Sequence, residues 1–197
     1  MRILLFDNYD SFTYNLYNLL KMVRPSAEIA VLRNRNREVL NADFDVLVIS
    51  PGPMTPADVG LLPALFEQRI IPRQIPVLGI CLGLQFLTHY HQVPVERSTN
   101  PLHGSAVEIE HHAQKLFSGL PSPFKVARYN SLEVRPEKLV NSPLHMLAVE
   151  KDKGAVMGLE HATMPWVGVQ FHPESFLTEH GHVLTDNFFK YYVENRI

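Results

Sequence analysis

The chain has almost no cysteine: one, Cys81, among 197 residues. No internal disulfide can form, so a disulfide framework is excluded. It also has no excess of either charge. Eighteen lysines and arginines stand against 20 aspartates and glutamates, a formal net charge of -2, which argues against a nucleic-acid binder. No long apolar run opens it, because Ile3 to Phe6 is too short for a signal peptide or a membrane span. The cytoplasm is therefore the expected compartment, where a lone thiol stays reduced and able to act as a nucleophile. No linker, repeat or low-complexity stretch divides residues 1–197, so one domain with a sizeable core is expected. The ten histidines invite a metal reading that their spacing does not support. His89 and His91 fall on different sides of a helix, and His111-His112 and His180-x-His182 lack consistent partners, so no metal or cofactor is expected. The alternating Arg33-Asn34-Arg35-Asn36-Arg37 reads as a solvated loop.

What is present is a regular alternation of elements. Ile3–Phe6, Glu28–Leu32, Val46–Ile49 and Val77–Ile80 read as strands, the third apolar throughout, as a strand covered on both faces should be. Ser11 is positioned to cap a helix whose apolar face is Phe12, Leu16, Leu19, Leu20 and Val23, ended by Pro25. Thr55 or Asp58 is expected to start a second helix through Leu61, Leu62, Leu65 and Phe66, and residues 84–90 read as a third. After residue 92 the texture changes to short strands: Ala106–Glu110, Phe124–Arg128, Met146–Val149, Val156–Leu159 and the buried run Val167–Phe171. His182–Val193 closes the chain as a helix. The fold class is α/β, a mostly parallel sheet flanked by helices with an added antiparallel part. In such sheets sites form beyond the carboxyl ends of the strands, where Asp7–Asp10, Ser50–Pro53 and Cys81 all fall.

Cys81 stands in Gly79-Ile80-Cys81-Leu82-Gly83, a strand followed by Gly-x-Cys-x-Gly and a helix. That is a nucleophile elbow with sulfur in place of the serine oxygen. The turn leaves no room for side chains beside the nucleophile, and it places sulfur at a helix N-terminus, where the dipole favours thiolate. Far downstream, His172-Pro173-Glu174 supplies a base and a carboxylate. Pro173 keeps His172 extended, and residues two apart then point to one side. Glu174 can hold the ring, or His172 can simply end a strand with Glu174 solvated. Ser50-Pro51-Gly52-Pro53-Met54-Thr55-Pro56 is stiff enough to aim an N–H at an oxyanion, and equally fits a plain rigid turn.

Together these motifs resemble class I (triad-type) glutamine amidotransferases. The resemblance runs nearly end to end, through Phe6-Asp7-Asn8-Tyr9-Asp10-Ser11-Phe12-Thr13-Tyr14-Asn15-Leu16, Ser50–Pro53, Gly79–Gly83, Gln85, His103-Gly104, Arg128-Tyr129, Ser131-Leu132 and Gly168–Ser175. The opening run is the most specific, and within the family it is most similar to the glutaminase subunits of anthranilate and aminodeoxychorismate synthases. The resemblance implies a flavodoxin-like sheet and a Cys81 nucleophile, with His172 as base and acid and Glu174 orienting it. Oxyanion donors would come from Leu82 and the Gly52–Met54 loop. Gln85, Ser131 and Leu132 would hold the amino-acid end of glutamine. It also implies a larger chorismate-binding synthase subunit as partner, docking near Asp7–Ser11 and His103–Ser105. Four positions depart from the family's usual residues: Met54 for glycine, Leu84 for histidine, Ser105 for lysine and Asn130 for histidine. The changes at 105 and 130 fall in segments that the family places near the active-site mouth or the partner. Rival readings are a stand-alone γ-glutamyl hydrolase and a weakly active glutamine-binding subunit.

Overall fold

The apolar runs become strands with ends moved by a residue or two. The structure is a computed structural model describing residues 1–195. Its first half contains β1 (Arg2–Asp7), β2 (Glu28–Arg33), β3 (Val46–Ile49) and β4 (Val77–Ile80). The second half adds β5 (Glu96–Arg97), β6 (Ser105–His111), β7 (Phe124–Arg128), β8 (Leu132–Glu133), β9 (Leu144–Glu150), β10 (Val156–His161) and β11 (Trp166–Val169). Nine of them form one sheet in the order β2-β1-β3-β4-β11-β10-β9-β6-β7. The pairings from β2 to β11 are parallel, and those from β11 to β7 antiparallel. Strand β11 joins the two halves, and β5 pairs separately with β8, a contact two residues long that the sequence does not announce.

Helices α1 (Thr13–Val23), α2 (Glu38–Asn41), α3 (Leu62–Leu65), α4 (Ile71–Arg73), α5 (Leu82–Tyr90) and α6 (Gly181–Phe188) cover the sheet. Alternation along the strands sorts the core into two layers. Ile3 and Leu5 of β1 pack with Leu16, Leu20, Leu184 and Phe188 of α1 and α6. Leu4 and Phe6 pack on the other face with Leu62, Leu65, Leu84 and Phe86. Among the described residues no helix is long and apolar enough to cross a membrane.

Four local expectations are corrected. Ser11 does not cap α1: the helix begins at Thr13 without a side-chain cap, and the Asp10 carboxylate instead accepts the Phe12 N–H at 2.9 Å. The second helix begins at Leu62 rather than at Thr55 or Asp58. Gly60 lies at φ +60 against the Asn34 carbonyl, and the Leu61 N–H donates to that same carbonyl at 2.8 Å. This takes the Leu61 N–H out of helical bonding and delays the helix to Leu62. Asn34 itself is fully buried, so the Arg33–Arg37 loop is not solvated throughout. The last helix is α-helical only to Phe188 and continues as a π-helical stretch, Phe189–Glu194.

Close backbone approach explains the glycines of the elbow. A Cβ at Gly79 would stand 2.6 Å from the Gly83 carbonyl carbon, and one at Gly83 would stand 2.9 Å from the Ile49 carbonyl oxygen. Neither obstacle is a flexible side chain. Gly79→Ala is therefore expected to push α5 away from β4 and to destabilise the protein by about 3 kcal/mol or more. Thermal or urea unfolding measures this, and a change under about 0.5 kcal/mol, the range of an ordinary surface substitution, would contradict the packing argument.

Candidate active site

Cys81 links β4 to α5 with φ 52 and ψ -100. A non-glycine residue in such a region stores about 1–3 kcal/mol of strain, tolerated where the surroundings over-determine it. Here the Cys81 N–H donates to the Val169 carbonyl of β11 at 2.8 Å, and the Gln85 N–H donates to the Cys81 carbonyl at 3.0 Å. The sulfur is thereby fixed at the carboxyl end of the parallel sheet, and the residue is 7% exposed.

His172 follows β11, next to β4 in the sheet, so strand order brings residues 91 apart in sequence together. Its backbone is tied at both ends. The N–H donates to the Ala127 carbonyl at 3.1 Å, and the carbonyl accepts from Thr178 Oγ1 at 2.6 Å. Nδ1 and Glu174 Oε1 lie 2.6 Å apart, and both side chains are nearly inaccessible. The solvated-glutamate alternative for this segment is thus not what forms. A carboxylate only accepts, so Nδ1 carries the proton, and Nε2 is buried with no ordinary hydrogen bond and is left for the sulfur. Burial pulls the His172 pKa down, but the nearby Cys81 sulfur and Glu174 carboxylate outweigh it and push it up to about 10. The half-buried Tyr129 ring meets the imidazole edge-on at a centroid distance of 4.7 Å.

Cys81 and His172 line a cavity of about 210 Å³ whose other walls include Asp10, Gly52, His103 and Tyr129. Larger cavities of about 270 and 570 Å³ elsewhere do not reach Cys81. Burial raises the Asp10 carboxyl above its ordinary value, while the positive His172 opposes the shift. The wall at Gly52 is held by buried amides. The Asn8 N–H donates to Ser50 Oγ at 2.9 Å, Asn8 Nδ2 to the Ser50 carbonyl at 3.1 Å, and Asn34 Nδ2 to Asn8 Oδ1 at 3.1 Å. A Cβ on Gly52 would stand 2.6 Å from Asn8 and 3.1 Å from the Leu82 side chain, so this loop presses directly on the elbow. Leu82 is the first residue of α5, and its N–H has no acceptor one turn back.

The remaining predicted residues lie around this centre rather than in its lining. Met54 turns its sulfur toward Asn34 Nδ2, 3.7 Å away. Its φ is not positive, so methionine is accommodated there without backbone strain. Gln85 is buried behind the elbow and donates to the Leu132 carbonyl at 3.2 Å and to Gln170 Oε1 at 3.1 Å. Ser131 is exposed, and Leu132 is half-buried in β8. Two of the unusual residues also face inward. Leu84 is fully buried and packs over Gly168. Asn130, whose segment suggested a place near the mouth or the partner, is 4% exposed and bonds Arg128 and the Leu132 carbonyl.

Gln170, which stands in the Gly168–Ser175 run but receives no role from the resemblance, donates from Nε2 to Cys81 Sγ at 3.4 Å. It directly follows β11 and lies two residues before His172, so strand alternation carried past Val169 would place the two on one side. Asn8 and Tyr129 stand in the runs that carry the resemblance but receive no role from it, and no motif marks Asn34; their contacts depend on how the loops pack.

The family model described as Glutamine amidotransferase class-I matches residues 4–191. Anthranilate synthase component 2 of Thermus thermophilus is 45% identical over 193 residues, covering 95% of this chain and 91% of its own length. Aminodeoxychorismate synthase component 2 of Klebsiella aerogenes is 40% identical over 191 residues, covering 94% and 98%. A solved glutamine amidotransferase of Thermotoga maritima shares the fold with TM-score 0.74 at 18% identity, over 98% of each chain.

Proposed function

The chain belongs to the class-I glutamine amidotransferase family, and we propose that it hydrolyses glutamine through a Cys81 thioester and passes the ammonia to a larger chorismate-aminating subunit. The observation that carries the reading is Cys81 held in a strained elbow beside an imidazole that Glu174 orients at 2.6 Å. In this reading residues 1–197 act as one glutaminase domain. The sulfur attacks the side-chain carboxamide of glutamine and forms a tetrahedral oxyanion. The N–H groups of Leu82 and of the Gly52–Met54 loop receive that charge, and losing one such donor typically costs about 10²–10³ in rate. Imidazolium at His172 gives its proton to the departing ammonia. The neutral ring then takes a proton from water, the water oxygen attacks the thioester, and the carbon–sulfur bond breaks with its electron pair returning to sulfur. Glutamate leaves. Gln85, Ser131 and Leu132 hold the amino-acid end of the substrate, the first and last by setting the backbone that meets it. Names from both the anthranilate and the aminodeoxychorismate branch stand at similar identity, so either product, or both, is consistent with the partner.

The deciding experiment is steady-state glutamate release by the lone chain, and by the chain with candidate large subunits and chorismate. The aminated product identifies the branch. The lone chain is expected to be slow and the complex at least about tenfold faster, which requires only about 1.4 kcal/mol of differential binding. Met54→Gly should release the Gly52–Met54 loop and raise the lone-chain rate. Full turnover without a partner, unchanged on adding one, would remove the gating part of the proposal. No glutamate release in any combination would remove the glutaminase itself.

A further inference from the structure

We propose that Gln170 is a further catalytic group, whose carboxamide donates a hydrogen bond to the Cys81 sulfur and whose orientation is dictated by the Leu132 carbonyl through Gln85. The proposal deepens the glutaminase reading and concerns the nucleophile itself.

The polarity of the relay follows from chemistry at one end. A backbone carbonyl cannot donate, so the Gln85 atom 3.2 Å from the Leu132 oxygen is the amide nitrogen. The second hydrogen on that nitrogen goes to Gln170, 3.1 Å away, which must therefore present its oxygen. The other end of the Gln170 carboxamide, its NH₂, is then the end that meets the sulfur at 3.4 Å. Turning either amide over would set a donor against a donor or an oxygen against a carbonyl. Both glutamines are buried, Gln170 completely and Gln85 to 3% exposure, where an unmade hydrogen bond costs about 1–3 kcal/mol.

The anchor is itself fixed. Leu132 pairs with Arg97 across β8 and β5, and its carbonyl also accepts from Asn130 Nδ2 at 2.8 Å. Asn130 Oδ1 accepts from Arg128 Nε at 3.0 Å, and Arg128 forms a buried ion pair with Glu150 at 2.6 Å. Asn130, one of the four unusual residues, is thus part of the scaffold that sets the relay.

A hydrogen bond to an ionised acceptor is roughly twice as strong as one to a neutral acceptor. The Gln170 N–H therefore favours thiolate over thiol before attack. It favours the sulfur again when the thioester breaks and the electron pair returns to it. His172 supplies and receives the protons in both steps, and Gln170 transfers none.

Because Cys81 is the only cysteine, its alkylation by iodoacetamide, in which a carbon–sulfur bond forms and iodide leaves, reports this sulfur alone and needs no glutamine. Gln170→Leu removes the donor. Gln170→Glu keeps the shape and the bond from Gln85 but turns an oxygen toward the sulfur. At pH 7 we expect alkylation to slow about tenfold in the first variant and more in the second. The gap should narrow above about pH 10, where an ordinary thiol is ionised. Gln85→Leu, which frees Gln170 to rotate, should slow alkylation less, with the same pH dependence. In glutamine hydrolysis the loss should appear in kcat with KM little changed. Circular dichroism and cooperative unfolding identify the variants that fold. Wild-type alkylation rates in folded Gln170→Leu would overturn the proposal, as would a loss of equal size at every pH, which marks mere displacement. If the wild type releases no glutamate, the glutaminase reading fails while the alkylation result still decides the role of Gln170.

Discussion

Cys81→Ser is expected to abolish glutamine-dependent amination in the complex while leaving amination from added ammonium salt intact. Serine fits the elbow, because the strain at φ 52 belongs to the backbone and the hydroxyl is smaller than the thiol. What is lost is the nucleophile: a hydroxyl in this position is neither ionised nor comparably reactive. Residues that act as a unit fail together, so a fall of at least about 10³ in kcat is expected. The ammonium arm separates chemistry from assembly, since a chain that still docks leaves the partner's own reaction untouched. A second readout is independent of turnover. The sulfur raises the pKa of His172, so Cys81→Ala should move the imidazole NMR titration to lower pH than in the wild type. Serine retaining substantial glutaminase turnover, or an unmoved His172 titration, would each contradict the placement of the pair.

His172→Ala should cost nearly as much as loss of the sulfur, and Glu174→Ala about a hundredfold less, because an orienting carboxylate contributes less than the base it orients. The pH dependence has a defined sign. The His172 pKa is raised, from an ordinary value near 6.5 to about 10. The protonated ring therefore stabilises the fold fully below about pH 6.5, and that contribution is lost as pH rises through about 10. The proton for departing ammonia is available over the same window, so the wild-type rate should fall on its alkaline side near pH 10. Glu174→Ala removes one of the raising causes and should bring that alkaline fall to lower pH. His172→Ala should abolish the corresponding pH dependence of stability. A Glu174→Ala profile that overlays the wild type would return the carboxylate to a packing role.

How much of this was legible follows from where each signal lives. Strand positions were readable because β3 and β4 are apolar at consecutive residues and buried at every one. The elbow was readable because close backbone approach admits only glycine at 79 and 83. The pairing of His172 with Glu174 was readable as a two-residue spacing, but the two meet across a turn closed by the Ser175 N–H on the His172 carbonyl at 3.2 Å rather than along an extended segment. By contrast, the start of α1 was misread at Ser11. Any of several short polar residues can cap a helix, and the Asp10 carboxylate took the Phe12 N–H. The helix expected from Thr55 or Asp58 was displaced by Asn34, a residue more than 20 positions earlier. No local pattern records that contact.

The sequence by itself therefore determined the α/β class and singled out Cys81, His172 and Glu174 as the candidate nucleophile, base and carboxylate, because these signals depend on backbone geometry within a few residues. Tertiary structure alone decided how they meet. Placing β11 beside β4 in register, with Gly168 opposite Gly79 and Val169 opposite Ile80, carries His172 and Gln170 to Cys81. Pairing β5 with β8 sets the carbonyl that orients the buried glutamines. The direction of a buried amide is fixed by which donors and acceptors the fold brings within about 3 Å of it, and residues 81, 85, 132 and 170 come together only when the sheet is assembled.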